Sequence, residues 1–167
     1  NQNVDSISAT MEELSATMEE VSATTVNVND EHNSMTIGWG GLGVLYRKDV
    51  VTVYIRENRY SYHLFEDCEY FTVSIYNKEY KDALTIYGTK SGRDGNKDLL
   101  TGFHPISIDN AVTYEEASLT IVCKKVYQAK LEEANFTTSL AKDFYQAGDD
   151  GTRHHMYIGE IIGIYKK

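Results

Sequence analysis

Residues 50–77, VVTVYIRENRYSYHLFEDCEYFTVSIYN, decide the fold. Val51, Val53 and Ile55 alternate with Thr52 and Tyr54, the period of a strand with one apolar face, and residues 71–76 (FTVSIY) read as a second strand. One short helix lies between them. The chain leaves the first strand through Arg56, Asn58 and Arg59 and reaches Ser61, expected as the helix N-cap before Tyr62, Leu64 and Phe65. Two guanidinium groups and a hydroxyl beside a helix start suit an anion, although a capped helix with solvated arginines would have the same sequence.

Composition narrows what such a site could bind. The 167 residues carry a net charge of −9 from 16 Lys and Arg against 25 Asp and Glu. That balance argues against nonspecific binding to nucleic acid or an anionic membrane, so any phosphate site must be a local cluster of cations. Thirteen tyrosines among many valines and isoleucines favour sheet. Cys68 and Cys123 are too few for a metal motif or a disulfide framework and are expected to be buried thiols in a reducing compartment. No apolar run is long enough to span a bilayer and no secretory signal is evident, so a cytoplasmic location is the expectation.

Residues 8–14 (SATMEEL) and 15–21 (SATMEEV) form a seven-residue repeat. Val4, Ile7, Met11, Leu14, Met18 and Val21 fall at alternating spacings of three and four, the seam of an amphipathic helix. Glu12, Glu13, Glu19 and Glu20, flanked by small residues, resemble the methylated helices of bacterial chemoreceptors over residues 1–28. The hairpin and signalling tip of a chemoreceptor are missing, so residues 1–23 are expected to be a helical appendage to a domain spanning 24–167.

Near Thr24 the period changes to alternation. Residues 25–29 and 33–37 read as a hairpin around Asn29 and Asp30. Residues 38–43 (GWGGLG) satisfy G-x-G-x-x-G, but no amphipathic helix follows, so a dinucleotide fingerprint is rejected and the glycines are assigned to a bend or a close backbone approach. Trp39 suits either the core or the border of a flat ligand. Residues 78–87 read as a helix ended by Gly88. The loop after it, TKSGRDGNK, holds Lys90, Ser91, Arg93 and Lys97 against Asp94 alone, a composition suited to phosphate oxygens and equally that of an ordinary surface loop. Residues 118–126 and 156–165 complete the sheet. Adjacent His154 and His155 point to opposite faces of a strand, which argues against a shared metal.

The segments NSMTIGW (33–39), RYSY (59–62), KSGRD (90–94) and HMYIGEI (155–161), in this order and spacing, resemble the flavin reductase-like family from about residue 25 to the end. The resemblance implies a mainly β fold, an FMN-binding split barrel with a few short helices, here preceded by the N-terminal amphipathic helix. It implies FMN as cofactor with Asn33, Thr36, Trp39, Arg59, Ser61, Lys90, Ser91, Arg93, Lys97 and His154 as its contacts. Lys97 is preferred to Lys90, and His154 shares its assignment with His155. It further implies NAD(P)H as electron donor, a homodimer, and no catalytic side chain or metal, because hydride transfer needs positioned rings rather than a protein nucleophile. A flavoredoxin-like electron carrier fed by a protein redox partner, and a coiled-coil interaction module with an inactive barrel, are the two alternatives.

Overall fold

The computed structural model describes residues 22–167. The heptad expectation therefore lies outside the described residues, apart from its end. Ser22 and Ala23, placed with the helix by the sequence reading, belong to the first strand, β1 (Ser22–Val28). The strands that follow are β2 (Glu31–Thr36), β3 (Gly40–Leu45), β4 (Lys48–Arg56) and β5 (Tyr70–Ile75). A hairpin, β6 (Pro105–Ile108) and β7 (Ala111–Tyr114), precedes the long strands β8 (Leu119–Lys130) and β9 (His154–Lys166). Helices α1 (Ser61–Asp67), α2 (Lys81–Thr89), α3 (Lys97–Thr101) and α4 (Leu140–Tyr145) fill the connections.

Seven strands pair antiparallel in the order β2-β1-β5-β8-β9-β4-β3. Consecutive strands β2 and β3 stand at the two ends of this order, joined only by Ile37, Gly38 and Trp39. So short a connection spans roughly 10 Å, which forces the two edges together and curls the sheet into a barrel split between them. Gly40 opens β3 at φ +139°, where a side chain would meet the Thr52 carbonyl oxygen at 2.2 Å. Gly40 thus serves the close backbone approach that the sequence context suggested, whereas Gly38, Gly41 and Gly43 have open space where a Cβ would lie. At Tyr46 and Arg47, with φ of 51° and 62°, the β3–β4 hairpin turns without glycine, so no turn signal marks it in the sequence.

Alternation along β4 sends Val51, Val53 and Ile55 inward, where they meet Phe71, Val73, Ile121, Tyr157 and, from α1, Phe65. The opposite face of the neighbouring strands is not solvated. Thr24, Thr72, Ser74 and Thr120 are buried under the β6–β7 hairpin and α2. Their hydroxyls are satisfied locally: Thr72 donates to the Val112 carbonyl at 2.8 Å, and Ser74, Thr113 and Thr120 share a cluster. A second apolar cluster, built on Tyr76, Leu84, Tyr87, Phe103 and Tyr114, seals this outer layer.

Two further local expectations are corrected, and the one for the cysteines is met. Ser61 is the first residue of α1 rather than its cap, and the N-cap, Tyr60, makes no side-chain bond to the helix. The helix expected over 78–87 is a 3-10 turn, Lys78–Tyr80, followed by α2, with Gly88 inside it; its Cα packs on Thr36 where a Cβ would lie 2.5 Å from the Thr36 hydroxyl. Cys68 and Cys123 are both buried free thiols. Burial is the main cause that pushes the Cys68 thiol up to about 11.

Candidate functional site

Strand β4 leads to the site through its second face. Tyr54 and Arg56, out of phase with the core valines, line an open cavity of about 430 Å³ together with Asn33, Arg59, Ser61 and the loop after α2. The register of β4 with β9 places His154 opposite Arg56 and His155 opposite Ile55. His154 therefore joins the cavity wall. His155 turns to the other face, where Glu57 holds its Nε2 at 2.8 Å and Glu66 lies 3.4 Å from Nδ1.

Of the ten residues expected at the site, Asn33, Arg59, Ser61, Lys90, Ser91, Arg93, Lys97 and His154 line this cavity. Thr36 does not. It is one residue out of phase with Asn33 and Met35 on β2 and packs against Gly88 of α2. Trp39 borders an adjoining apolar cavity of about 550 Å³, which shares Tyr54, Phe144 and His154 with the first. Its ring lies 4.7 Å from His154 and 5.1 Å from Phe144. The two cavities form one trough, polar and cationic at one end, aromatic at the other.

The cationic end is held together by few bonds. Asn33 donates to the Ser61 hydroxyl oxygen at 2.6 Å, leaving the Ser61 proton available to a ligand acceptor. Arg59 spends one N–H on the Gly88 carbonyl at 2.9 Å. Arg93 reaches the Asn58 carbonyl at 3.3 Å and lies over the Tyr60 ring at 5.8 Å. Gly92 lets this loop dock, since a Cβ there would come within 2.5 Å of the Tyr60 ring and 2.8 Å of Asn33 Oδ1.

Lys97 lines the cavity with its ammonium turned toward backbone carbonyls. Only 4% exposed, it directs its ammonium at the carbonyls of Ser34, Tyr87 and Lys90, at 2.5, 3.3 and 3.4 Å. All three donors are thus turned to backbone, tying β2, α2 and the basic loop to one point. Burial, and after it the like charge of Arg59, bring its pKa down to about 8. Burial also lowers the Arg59 pKa. Among the described residues, none of Arg59, Lys90, Arg93 or Lys97 forms an ion pair with a carboxylate.

Tyr54, Asn58, Tyr60 and Phe144 were not anticipated at the site, whereas Arg56 is one of the two guanidinium groups expected there beside the start of α1. Tyr54 could have been found by following the β4 alternation to its outer face. Phe144 had no such signal, because α4 is brought to the trough by tertiary packing. No group of three His, Cys, Asp or Glu that could hold a metal occurs among the described residues, and no helix among them is long and apolar enough to cross a membrane.

A family model described as "Flavin reductase like domain" matches residues 15–167. The solved structure of flavoredoxin from Methanosarcina acetivorans is similar at a TM-score of 0.68 and 20% identity, covering 89% of this chain and 69% of its own. An FMN-binding protein from Thermus thermophilus, solved with bound p-hydroxybenzaldehyde, gives 0.67 and 17%, covering 88% and 71%. An NADH:FAD oxidoreductase from Streptomyces globisporus gives 0.65 and 14%, covering 89% and 75%. At these identities the likeness establishes the fold. No curated protein matches the chain.

Proposed function

The chain belongs to the flavin reductase-like family, and from that membership we propose that it is an FMN-binding flavoprotein that takes hydride from NAD(P)H. The observation that carries the reading is the group of four cations without carboxylate partners on a chain of net charge −9, set at one end of a trough whose other end is aromatic. An anionic head joined to a flat, largely apolar ring is the ligand such a trough fits, and FMN has both parts. Arg59, Ser61 and Arg93 would hold the phosphate by charge-assisted hydrogen bonds. Lys97 adds charge through space and sets the loop. Trp39, Tyr54, Phe144 and His154 would border the ring.

When bound, FMN supplies the hydride chemistry, so the chain needs no nucleophile. Its own residues bind, orient and exclude water, and positioning carries the rate. A second reading, a flavoredoxin-like carrier reduced by a protein partner, is supported by the likeness to flavoredoxins. Anaerobic addition of NADH or NADPH to the FMN-loaded protein decides between them. Bleaching of the flavin absorbance supports the reductase; reduction only by a protein donor supports the carrier; a protein that neither purifies yellow nor binds added FMN sinks both. We further propose a homodimer. Trp39, Leu140 and Phe144 are 50%, 69% and 52% exposed beside the trough, apolar surface that a second copy would cover. A clean monomer by sedimentation that still binds FMN would contradict this.

A further inference from the structure

Tyr145, the last residue of α4, meets His154 through one hydroxyl and two bonds. The backbone N–H of His154 donates to the phenol oxygen at 3.1 Å, and His154 Nδ1 lies 2.5 Å from the same atom. A phenol has one proton to give and two lone pairs to receive. The backbone N–H cannot accept that proton, and the Tyr145 hydroxyl has no further partner among the described residues. One arrangement satisfies every atom: the phenol donates to Nδ1, and the ring proton resides on Nε2. The reverse arrangement would direct two donors at the oxygen and strand the phenolic proton on a residue only 8% exposed.

Nε2 of His154 makes no hydrogen bond among the described residues. It is not a buried orphan either, because among them only Asn27 Oδ1 is buried without a partner. The nitrogen is therefore accessible to the trough that its ring lines. The support behind it is charged on both sides. The Tyr145 ring is flanked by Arg153 at 4.4 Å and Arg56 at 5.0 Å, whose guanidinium groups are in turn held by Asp149 and Glu133, and by Asp150. Burial, and then the charge of Arg56, bring the His154 pKa down to about 4, so the ring is neutral at pH 7.

We propose that Tyr145 is a positioning residue that holds His154 as the Nε2–H tautomer, so that the aromatic end of the trough offers a neutral hydrogen-bond donor to an acceptor atom of the flavin ring. The identity of that ligand rests on the flavin reading; the tautomer does not. A fixed neutral donor favours charge accumulating on its acceptor and needs no reorganisation as it does so. The hydrogen bond on the other nitrogen decides which face of the imidazole can donate.

The test is a long-range proton–nitrogen correlation spectrum of the full chain labelled with ¹⁵N-histidine, with His154 assigned by the signal lost in His154→Gln. In the ligand-free protein at neutral pH, His154 should appear as a neutral ring protonated at Nε2. In Tyr145→Phe a population protonated at Nδ1 should emerge. A wild-type ring protonated at Nδ1 overturns the proposal without recourse to any variant, and an unchanged tautomer in folded Tyr145→Phe overturns the positioning role. Adding FMN should shift the Nε2–H signals and slow their exchange with water. If FMN binds and they do not move, the donor role is wrong. If FMN fails to bind, the flavin reading fails instead, and the ligand-free spectra still decide the part played by Tyr145.

Discussion

Arg56 and Arg59 lie three residues apart and line the same cavity, yet their charges are treated differently. The Arg56 guanidinium pairs with Asp150 at 2.8 Å and donates to the Thr152 hydroxyl at the same distance. Nearby, Arg153 is held by Asp149 and Glu133. Arg59 has one backbone carbonyl and no carboxylate, and Lys97 beside it has three carbonyls and no ion pair. The first pair belongs to a neutralised rim, the second to a cationic floor. The difference teaches which cations remain available to an anion: a buried lysine and a half-buried arginine without carboxylate partners cost stability unless a ligand brings the countercharge.

Removing Arg59 should break the contrast most severely. A charge-assisted hydrogen bond is worth about 1.5–3 kcal/mol, so Arg59→Ala should weaken FMN roughly ten- to a hundred-fold and riboflavin, which lacks the phosphate, far less. Fluorescence titrations with both flavins check this, and equal losses would move the phosphate elsewhere. Next comes the wall that carries Arg93. Gly92→Ala would drive a Cβ against Tyr60 and Asn33, an overpacking that typically costs about 1–3 kcal/mol. A lower melting temperature and weaker FMN binding are expected; a variant that melts and binds like wild type would mean that the loop yields freely.

The pH dependence isolates Lys97. Its folded pKa is about 8 against an ordinary 10.5. Below pH 8 both folded and unfolded chains hold the proton. Between about 8 and 10.5 the unfolded chain holds more, so this group makes stability rise with pH across that window. The buried tyrosines and thiols, whose pKa values are raised, oppose it there. The quantity to measure is therefore the difference in urea midpoint between wild type and Lys97→Met, which should move in favour of wild type as pH rises through the window. FMN affinity should move the other way and fall above pH 8, as the ammonium that attracts the phosphate is lost. A flat affinity across pH 8 would remove Lys97 from the phosphate field.

The smallest effect is expected at the neutralised rim. Exposed ion pairs contribute up to about 1 kcal/mol, so Arg56→Ala should change FMN affinity by less than about fivefold. Its dependence on salt should match wild type, whereas that of Arg59→Ala should be flatter. If Arg56 proves the more costly of the two, Asp150 does not neutralise it in solution and the contrast fails.

Much of this site was legible before any coordinates. Alternation along residues 51–55 named the core face of β4, and followed to the other face it would also have named Tyr54. The loop of residues 89–97 announced itself as a cationic cluster on an acidic chain. Parity on one strand also separates His154 from His155. The same parity, applied to β2, separates Thr36, which lies outside this cavity's lining, from Asn33 and Met35.

Local chemistry thus determined where the main strands run, which loop is basic and that its composition suits phosphate oxygens, because period and composition are properties of neighbouring residues. Tertiary structure alone decided which of those charges remain available. Asp150 reaches Arg56 across 94 residues, Lys97 finds the Ser34 carbonyl across 63, and α4 brings Phe144 and Tyr145 to His154 through packing that no local pattern records. Charge compensation and burial depend on what the fold brings within a few ångströms, and that depends on the register of distant strands. The sequence therefore named the cations, and the fold sorted them into a paired rim and an unpaired floor.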